Sequence, residues 1–378
     1  MARIFDLHGL ASLTVDDDRE RVLQYVDAQL DPYQPSAGVD PETTDVVLCP
    51  NNGIVAGSFC DVHGPAGDNR RTCVVDGRCY LMRSDSLFEL PRLSTEIEQV
   101  RLSYDRTFPL WVGFSEVVRP LLQLATINRG AVVVHGAAVQ LRGGGLVVCG
   151  WSETGKTETA LALAEAGARF ISDKWTVIDN NARIHAFPVS VGIRDWVLDY
   201  LPRLRAHLPA SQRARLRAAR TARRGLPLLI KAGANPLSAA AESQLEHALT
   251  LAGRVSLRQT DVAAVYGSPQ DPAATPPLVT LAMLTTVPGQ EVTVREADVG
   301  WAARRLAQSA VYERRSLYEL DARVRYAFAQ SGPSPLLRVA DREADLLRNL
   351  LAGVRLLEVK APFPTDPRKV ADALARWC

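Results

Sequence analysis

The sequence predicts an α/β protein in which a mixed sheet with flanking helices surrounds one glycine-rich loop and follows a small α+β module. Three observations support this prediction. Residues 145–149 have the pattern of a short buried strand, residues 150–157 form a loop bounded by glycines, and residues 157–166 have the pattern of an apolar-faced helix. The front of the chain carries a separate hairpin at residues 72–81. The strand, loop and helix therefore define the centre of the predicted fold.

The loop reads Gly-Trp-Ser-Glu-Thr-Gly-Lys-Thr over residues 150–157 and fits the G-x-x-x-x-G-K-[S/T] pattern of a phosphate-binding loop. Such a loop curls its backbone N–H groups around a polyphosphate, and the helix N-terminus adds a partial positive charge of about half a unit. We expect Lys156 to reach the β- and γ-phosphates and Thr157 to bind magnesium. The predicted nucleotide contacts are Gly150, Ser152, Thr154, Gly155, Lys156, Thr157 and Glu158.

The composition is that of an ordinary globular protein. Of its 378 residues 47% are hydrophobic and 23% are charged, which is enough for a buried core and for two domains. The net charge of +2 gives no overall field for nucleic acid or an anionic membrane, and no apolar run approaches the ~18 residues of a membrane span. The N-terminal residues lack the apolar segment of a signal peptide, so we expect a cytoplasmic protein without membrane association.

The cysteines leave two interpretations open. None of the six forms a Cys-x-x-Cys pair, which favours buried thiols over a zinc or redox site. Four of them lie within the first 80 residues, so a metal site there is the alternative. The six are Cys49, Cys60, Cys73, Cys79, Cys149 and Cys378.

The sequence pattern of residues 1–120 predicts the small α+β module, and substrate recognition is its hypothesised role. Asp76-Gly77 between two apolar runs favours a tight hairpin turn. Asp16-Asp17-Asp18 is more typical of a helix start beside the positive end of the dipole than of a metal site. The other predicted elements are a helix at 17–30, a strand at 44–49, and a helix at 112–128 that Arg129-Gly130 ends.

The sequence pattern of residues 121–378 predicts the nucleotide-binding catalytic domain. A buried strand with one interruption precedes the loop strand, and a proline-rich stretch at residues 267–277 predicts an exposed loop. The remaining predicted strands are 131–141, 168–172, 176–178, 184–187, 278–284 and 354–359, and the helices are 299–310, 341–351 and 367–377.

A basic helical segment lies at residues 203–224, where the chain carries eight arginines and no acidic residue. A solvated helical face is the simpler interpretation of this pattern. The functional alternative is a basic surface for an acidic peptide, a phosphate or a nucleic acid. Since the rest of the chain balances this charge, nucleic-acid binding is the weakest of these hypotheses.

Two further residues flank the loop strand in the predicted sheet. His135 lies on the strand before it, and Asp173 ends the strand after it. Because neighbouring strands deliver their ends to one edge of the sheet, both are expected near loop-bound phosphates. Asp173 suits a magnesium ligand or a base, with helix capping as the alternative. His135 either assists catalysis or is a satisfied histidine at a strand end.

Residues 135–139, 145–163 and 166–173 resemble the C-terminal catalytic domain of HPr kinase/phosphorylase and its relatives. Outside these residues the resemblance fades to an echo at Tyr312-Glu313-Arg314-Arg315. It implies a P-loop core akin to phosphoenolpyruvate carboxykinase, ATP and Mg²⁺ as cofactors, and phosphorylation of a serine-type hydroxyl. It also implies catalytic roles for His135, Lys156 and Asp173, nucleotide contacts at Gly155, Lys156 and Thr157, and magnesium binding by Thr157 and Asp173.

The chain departs from the family pattern at several positions. The family usually has two adjacent aspartates where this chain has Asp173-Lys174. Lys174 either points away, or contacts phosphate directly in place of a metal contact, or impairs turnover. Trp151 and Glu153 replace smaller residues, and Glu153 is expected to face outward. Because the front residues do not resemble the N-terminal domain of the bifunctional enzyme, HPr is not the expected acceptor.

The leading hypothesis is an ATP-dependent phosphotransferase that acts on a hydroxyl of the Ser/Thr type, carried by a peptide, a protein or a small molecule. By analogy with relatives that tailor ribosomally made peptides, the front module would hold such an acceptor. A homo-oligomer is implied by the same analogy alone. The alternative hypothesis is a non-catalytic nucleotide-binding regulatory module, because Lys174 replaces the usual second aspartate.

Overall fold

The structure is a computed structural model, and it is an α/β fold with mixed parallel and antiparallel sheets and flanking helices. For residues 60–62 and 224–232 it describes the backbone alone. The described residues are 2–36, 38–51, 53, 60–62, 71–93, 99–232, 244, 248–268, 275–289 and 291–378. Most of the proline-rich stretch predicted as a loop, residues 269–274, lies outside them.

The chain divides into two compact units. The first unit comprises Met1–His135, Val177–Phe187 and Ala297–Val354. The second unit comprises Gly136–Thr176, Pro188–Glu296 and Arg355–Cys378. Each unit therefore contains segments that are distant in sequence. The assignment of functional domains to residues 1–120 and 121–378 stays a prediction.

An eight-stranded mixed sheet forms the centre of the first unit. Its order is β1-β2-β3-β8-β7-β6-β5-β4, with parallel pairing of β2 to β3 and of β3 to β8 and antiparallel pairing elsewhere. The strands are β1 Arg3–Leu7, β2 Ala11–Val15, β3 Val46–Asn51, β4 Cys60–Val62, β5 Arg71–Val75, β6 Arg78–Arg83, β7 Ser86–Glu89 and β8 Val100–Asp105. The predicted hairpin is confirmed, because Asp76 and Gly77 join β5 to β6 with φ values of 48° and 72°.

The first unit also contains helices, of which the one at Arg119–Asn128 packs against β2, and a second, three-stranded sheet. The predicted helix at 112–128 is confirmed, although it contains a π-helical turn, Phe114–Val118, that the sequence pattern did not indicate. The helices are α1 Glu20–Leu30, α2 Leu110–Gly113, α3 Arg119–Asn128, and, later in the chain, Val299–Glu313, Arg315–Ala327 and Pro335–Leu350. The small sheet has the order β14-β13-β9, with β9 Val132–Val134, β13 Thr176–Ile178 and β14 Ile184–Ala186.

A six-stranded mixed sheet forms the second unit and carries the glycine-rich loop. Its order is β12-β10-β11-β17-β19-β18, in which β11, β17 and β19 are parallel and the other neighbours are antiparallel. A further pair, β15 with β16, is antiparallel. The strands are β10 Gly136–Leu141, β11 Gly144–Gly150, β12 Arg169–Ser172, β15 Val191–Arg194, β16 Arg254–Leu257, β17 Leu278–Thr286, β18 Thr293–Glu296 and β19 Arg355–Ala361.

The strand directions explain which residues meet at one edge of this sheet. β10 runs antiparallel to both β11 and β12, so β11 and β12 point the same way. The carboxyl ends of β11 and β12 therefore lie at the same edge as the first residue of β10, Gly136, which pairs with Cys149. This edge presents the end of β11 at Gly150 and Asp173, the residue after β12. The predicted mixed sheet is confirmed.

The helix that follows the loop, α4 Lys156–Glu165, is buried on both sides. Ala160 and Leu163 pack with the sheet and with the last helix of the chain, whereas Leu161 and Ala164 pack in a second cluster with Phe170. Each fully buried leucine contributes about 1.5–3 kcal/mol relative to an exposed one, so the loop is anchored at its C-terminal side. The other helices of the second unit are α5 Pro202–His207, α6 Ala210–Ala232, α7 Gln259–Tyr266 and α11 Pro367–Ala375. The three late helices of the first unit take the numbers between them and are α8 Val299–Glu313, α9 Arg315–Ala327 and α10 Pro335–Leu350.

Within the described ranges, no helix combines the length and apolar character needed to cross a bilayer.

The cysteines whose side chains are described are free thiols, namely Cys49, Cys73, Cys79, Cys149 and Cys378. Burial raises the pKa of Cys149 to about 12, which keeps this thiol protonated at the end of the loop strand.

Candidate functional site

The glycine-rich loop connects β11 to α4, as the sequence predicts, and two glycines permit its course. Gly155 precedes α4 with a left-handed φ of 92°, which a residue with a side chain rarely adopts. A Cβ added at Gly150 would lie 2.6 Å from Oγ1 of Thr154 and 2.8 Å from the carbonyl oxygen of Leu284. The loop therefore closes onto itself and onto β17 only because residue 150 has no side chain.

The side chains of the loop bond to its own backbone. Lys156 is 7% exposed, and its Nζ donates to the carbonyl oxygen of Trp151 at 2.5 Å. Oγ1 of Thr154 donates to the same carbonyl oxygen at 3.0 Å. The ammonium group is thus held beside the loop backbone, where a buried cation attracts an anionic ligand strongly because little water screens it. Trp151, Ser152 and Glu153 are exposed.

Thr157 and Asp173 lie in direct contact. Oγ1 of Thr157 donates to Oδ1 of Asp173 at 2.6 Å, a short hydrogen bond to a carboxylate. Asp173 is 3% exposed, and burial raises its pKa above the ordinary value of 3.8. The Thr157 hydroxyl, the backbone N–H of Lys174 and the charge of Lys156 oppose this rise because they stabilise the carboxylate. The structure thus brings a hydroxyl, a carboxylate and an ammonium group to one end of the loop.

Lys174 occupies a constrained position after this carboxylate. Its φ is 63°, and the N–H of Trp175 donates to the carbonyl oxygen of Asp173 at 2.7 Å across it, which is the hydrogen bond of a γ-turn. A lysine in this left-handed region is strained. Nζ of Lys174 lies 4.3 Å from the centre of the Trp175 ring, a cation–π contact. The side chain of Lys174 therefore packs on its neighbouring indole.

Two acidic residues stand beside the loop in different environments. Burial raises the pKa of Glu158, and the charge of Asp173 adds to this effect. Glu153 has a left-handed φ of 60° and pairs with Arg194, whose Nη2 lies 2.5 Å from Oε1. The expected outward position of Glu153 agrees with the 67% exposure of its side chain. The positive partner compensates the negative charge of Glu153 beside the loop.

His135 belongs to the first unit, whereas the other predicted site residues belong to the second. It is 8% exposed, and its Nδ1 lies 3.2 Å from Oε1 of Glu313. A carboxylate on one ring nitrogen favours a proton on that nitrogen and so selects the tautomer. Along the chain His135 directly precedes Gly136, the first residue of β10.

Residues 312–315, at which the family resemblance is faint, make two ion pairs within the first unit. Glu313 pairs with His135, whereas Arg314 is 1% exposed and pairs with the equally buried Glu343. Sequence reasoning noted this tetrapeptide but did not assign a partner to Glu313. The partner could not be found from spacing, because residues 135 and 313 lie on elements that are distant in the sequence.

The basic segment comprises α5 and about the first two thirds of α6, and carboxylates and carbonyls of the second unit engage most of its arginines. Arg220 donates to both oxygens of Asp199, at 3.1 and 2.5 Å, and Arg223 pairs with Asp195 at 3.3 Å. Arg203, Arg213 and Arg215 donate to backbone carbonyl oxygens. These contacts occupy guanidinium groups that a nucleic-acid phosphate would need.

Sequence reasoning missed a groove that begins at the loop. It is shallow and leaves open about 10 Å³, room for about one water molecule. Trp196 and Phe363 contribute its aromatic surface, with their ring centres 6.1 Å apart in an edge-to-face arrangement. A Cβ at Gly155 would lie 3.3 Å from the Phe363 ring, so the aromatic ring contacts the loop itself. The other lining residues are Thr154, Glu158, Thr159, Ala361, Pro362, Thr365, Pro367 and Val370.

Comparison with known proteins gives one partial likeness. No family model matches the chain. Over 95 residues, 25% of its length, the chain is 33% identical to HPr kinase/phosphorylase of Lactobacillus acidophilus. The matched part is 29% of that protein, so the chain spans less than a third of the curated relative. The likeness supports a distant relation to this family.

Proposed function

We propose that the protein is an ATP-dependent phosphotransferase of the HPr-kinase-like type, with a P-loop core, that phosphorylates a hydroxyl of a peptide, protein or small molecule. The observation that carries this proposal is the 2.6 Å contact of Thr157 with Asp173 beside the buried Lys156. Phosphoryl transfer requires mainly positioning and charge neutralisation, which a lysine, a metal-binding hydroxyl and a carboxylate supply. The partial likeness to HPr kinase/phosphorylase supports the same reaction class.

The residues present fit ATP and magnesium. Within the described ranges no group of three or more His, Cys, Asp or Glu side chains lies close enough to hold a metal. Magnesium in phosphoryl-transfer enzymes takes only one or two carboxylates and completes its shell with water and substrate phosphates. Thr157 and Asp173 provide a donor set of this kind, and the loop backbone with Lys156 would bind the polyphosphate.

Each residue then has a defined role in the transfer. Thr157 and Asp173 would hold magnesium, which would supply charge neutralisation on the phosphates of ATP, the donor of the γ-phosphoryl group. Lys156 would stabilise negative charge on the β- and γ-phosphates. Asp173 alternatively accepts the proton of the acceptor hydroxyl as that oxygen bonds to the γ-phosphorus and the bond to the β–γ bridging oxygen breaks. A catalytic role of His135, which belongs to the first unit, stays an expectation of the family resemblance.

Calorimetry with ATP and magnesium, paired with transfer of labelled γ-phosphate to candidate peptides and to water, tests the proposal. We expect Lys156→Ala to weaken nucleotide binding and to lower transfer by at least about 10²-fold, because one preorganised charge is lost. Lys369, an exposed lysine of the second unit, provides the matched control, and Lys369→Ala should leave both unchanged. A Lys156→Ala protein that transfers γ-phosphate at the wild-type rate refutes the assignment.

A non-catalytic nucleotide-binding module is the second candidate, and the constrained Lys174 favours it. This function predicts ATP binding without turnover in the wild-type protein. Lys174→Asp provides a direct comparison, because Asp tolerates φ near 63° better than Lys does and restores the second carboxylate. Turnover that appears only in Lys174→Asp supports the module, whereas turnover in the wild-type protein supports the kinase.

A further inference from the structure

The first unit carries a pocket whose lining residues come from the start of α1 and from the segment between the end of β8 and the start of α2. It leaves open about 290 Å³, close to the lower end of the roughly 300–1,000 Å³ that ligand pockets occupy. Six of its nine lining residues belong to the three types that contribute most binding energy at protein interfaces, and these are Arg19, Arg21, Tyr25, Tyr104, Arg106 and Trp111. The pocket therefore has room and suitable side chains for a ligand.

The apolar part of the pocket combines buried residues with exposed ring surface. Its buried apolar residues are Val22, Phe108 and Leu110, each at most 9% exposed. Trp111 is 64% exposed, and the half-buried ring of Tyr25 is held edge-to-face against Phe114, with the ring centres 5.7 Å apart. Exposed aromatic surface beside a pocket gains free energy when a ligand covers it. The pocket can thus receive a large apolar side chain.

The charged residues that line the pocket are all arginines. Arg19 donates to Asp17 from Nε and Nη2, at 3.0 and 2.6 Å. Arg106 pairs at 3.1 Å with Asp18, whose side chain is 74% exposed, and an ion pair so exposed is weak and exchangeable. Arg21 is exposed and forms no ion pair or side-chain hydrogen bond with another described residue. A carboxylate of a ligand would therefore displace at most one weak ion pair.

We propose that this pocket binds an acidic peptide segment through an aromatic or large aliphatic side chain that lies next to an Asp or Glu. The apolar side chain covers the rings of Trp111 and Tyr25, and the neighbouring carboxylate pairs with Arg21 and Arg106. Guanidinium groups bind carboxylates through two parallel hydrogen bonds, which fixes the orientation of the peptide. Occupation of the pocket requires no nucleotide, so this inference goes beyond the proposed function and does not depend on it.

The lining favours a peptide over a single-stranded nucleic acid, although both classes of ligand bind to arginines and aromatic rings. A base in the pocket would need partners for the polar atoms of its edge, because buried polar atoms without partners are costly. The hydroxyl groups of the lining are those of Tyr25 and Tyr104, and the hydroxyl of Tyr104 already donates to Asp17 at 2.5 Å. The buried apolar residues offer no polar side-chain atom. An apolar side chain enters the pocket without this cost.

Selection from a random dodecapeptide library on the immobilised full-length protein, followed by fluorescence anisotropy of the selected peptides, tests this inference. We expect the enriched sequences to place Asp or Glu within about two positions of Phe, Trp, Tyr or Leu. Arg21→Ala and Trp111→Ala should each weaken binding about 5- to 30-fold, as the loss of a central interface side chain does. Arg21→Glu should reverse the charge preference, so that it binds a selected peptide better when Lys replaces the acidic residue.

Arg338 and Tyr326 provide matched controls, because they are an exposed arginine and an exposed tyrosine of the same unit outside the pocket. Arg338→Ala and Tyr326→Ala should bind the selected peptides as the wild type does. The inference is overturned if no peptide is enriched, if the enriched sequences lack the acidic residue, or if the pocket variants bind them unchanged. It is also overturned, in favour of a nucleic acid, if oligothymidylate binds more tightly than the peptides and loses affinity in the same variants.

Discussion

The buried carboxylate of Asp173 gives the sharpest test of the site, because its stability and activity effects should have opposite signs. Burial raises the pKa of Asp173 above 3.8, so the ionised form is less favourable in the folded protein than in the unfolded chain. Asp173→Asn removes the charge but keeps the shape. The amide can donate to the Thr157 hydroxyl or accept from it, so the 2.6 Å contact can be replaced.

The size of the effect follows from what the substitution keeps and what it removes. No cavity forms, and one buried charge is lost, so we expect a gain of about 0.5–2 kcal/mol in the free energy of unfolding. For a unit of this size about 1 kcal/mol raises Tm by about 2–4 °C, which gives a shift of about 1–8 °C. Activity should fall by about 10²–10⁴-fold, because the carboxylate is the metal ligand or the base of the proposed reaction.

The pH dependence fixes the cause of the stability gain. A group whose folded pKa is raised contributes stability below its unfolded pKa, and this stability is lost as the pH rises through the folded pKa. The variant and the wild type should therefore have equal stability near pH 3.8, and the advantage of the variant should grow towards neutral pH. Thermal unfolding by circular dichroism between pH 4 and 8 measures this difference.

Asp195 of the same unit is the matched control for this experiment. It is 5% exposed and pairs with Arg223 at 3.3 Å. Asp195→Asn should not stabilise the protein, because it breaks an ion pair, and it should leave nucleotide binding intact. The reasoning is refuted if Asp173→Asn unfolds at a lower temperature than the wild type at neutral pH, or if its advantage does not change with pH.

Three further predictions concern the first unit. Burial, and secondly the charge of His185, lower the pKa of His8 from 6.5 to about 4, so the free energy of unfolding falls by at most about 3 kcal/mol as the pH falls from 6.5 to 4. Asn tolerates the φ of 57° at this position, so His8→Asn should reduce the difference in stability between pH 5 and pH 7 in urea unfolding. An unchanged difference between the two pH values would contradict the assignment. Glu343→Ala should lower the free energy of unfolding by about 3–5 kcal/mol because it leaves Arg314 buried and unpaired, whereas an Arg314→Met, Glu343→Leu double variant should recover most of this loss in the same unfolding assay. Gly113→Ala should destabilise by about 1–3 kcal/mol despite the helix preference of alanine, because the new Cβ would lie 2.4 Å from the Phe88 ring; a higher Tm would show that the ring moves aside.

The elements with local signals could be predicted from the sequence. The hairpin at Asp76-Gly77 and the strand, loop and helix around Gly155 depend on residues that are adjacent in the chain, and the structure has both. The pairing of β2, β3 and β8 could not be predicted in the same way. Parallel strands are joined through long connections, so their order depends on packing between distant segments.

The residues of the candidate site also differ in whether the sequence alone could indicate them. The contact of Thr157 with Asp173 follows from two strands that end at one edge of a sheet, and sequence reasoning named both residues. Arg194, Trp196 and Phe363 could not be found, because they reach the loop from β15, from the residues after it and from the residues after β19. No spacing or composition signal links those segments before the chain is folded.

These missed residues also explain how the loop tolerates an acidic side chain. A carboxylate beside bound phosphates is unfavourable unless a cation compensates it. Arg194 supplies this cation to Glu153 and also lies over the ring of Phe363, which contacts Gly155. Glu153 is therefore coupled to the aromatic groove through one arginine. Removal of Arg194 should therefore leave the charge of Glu153 uncompensated and one side of the Phe363 ring uncovered.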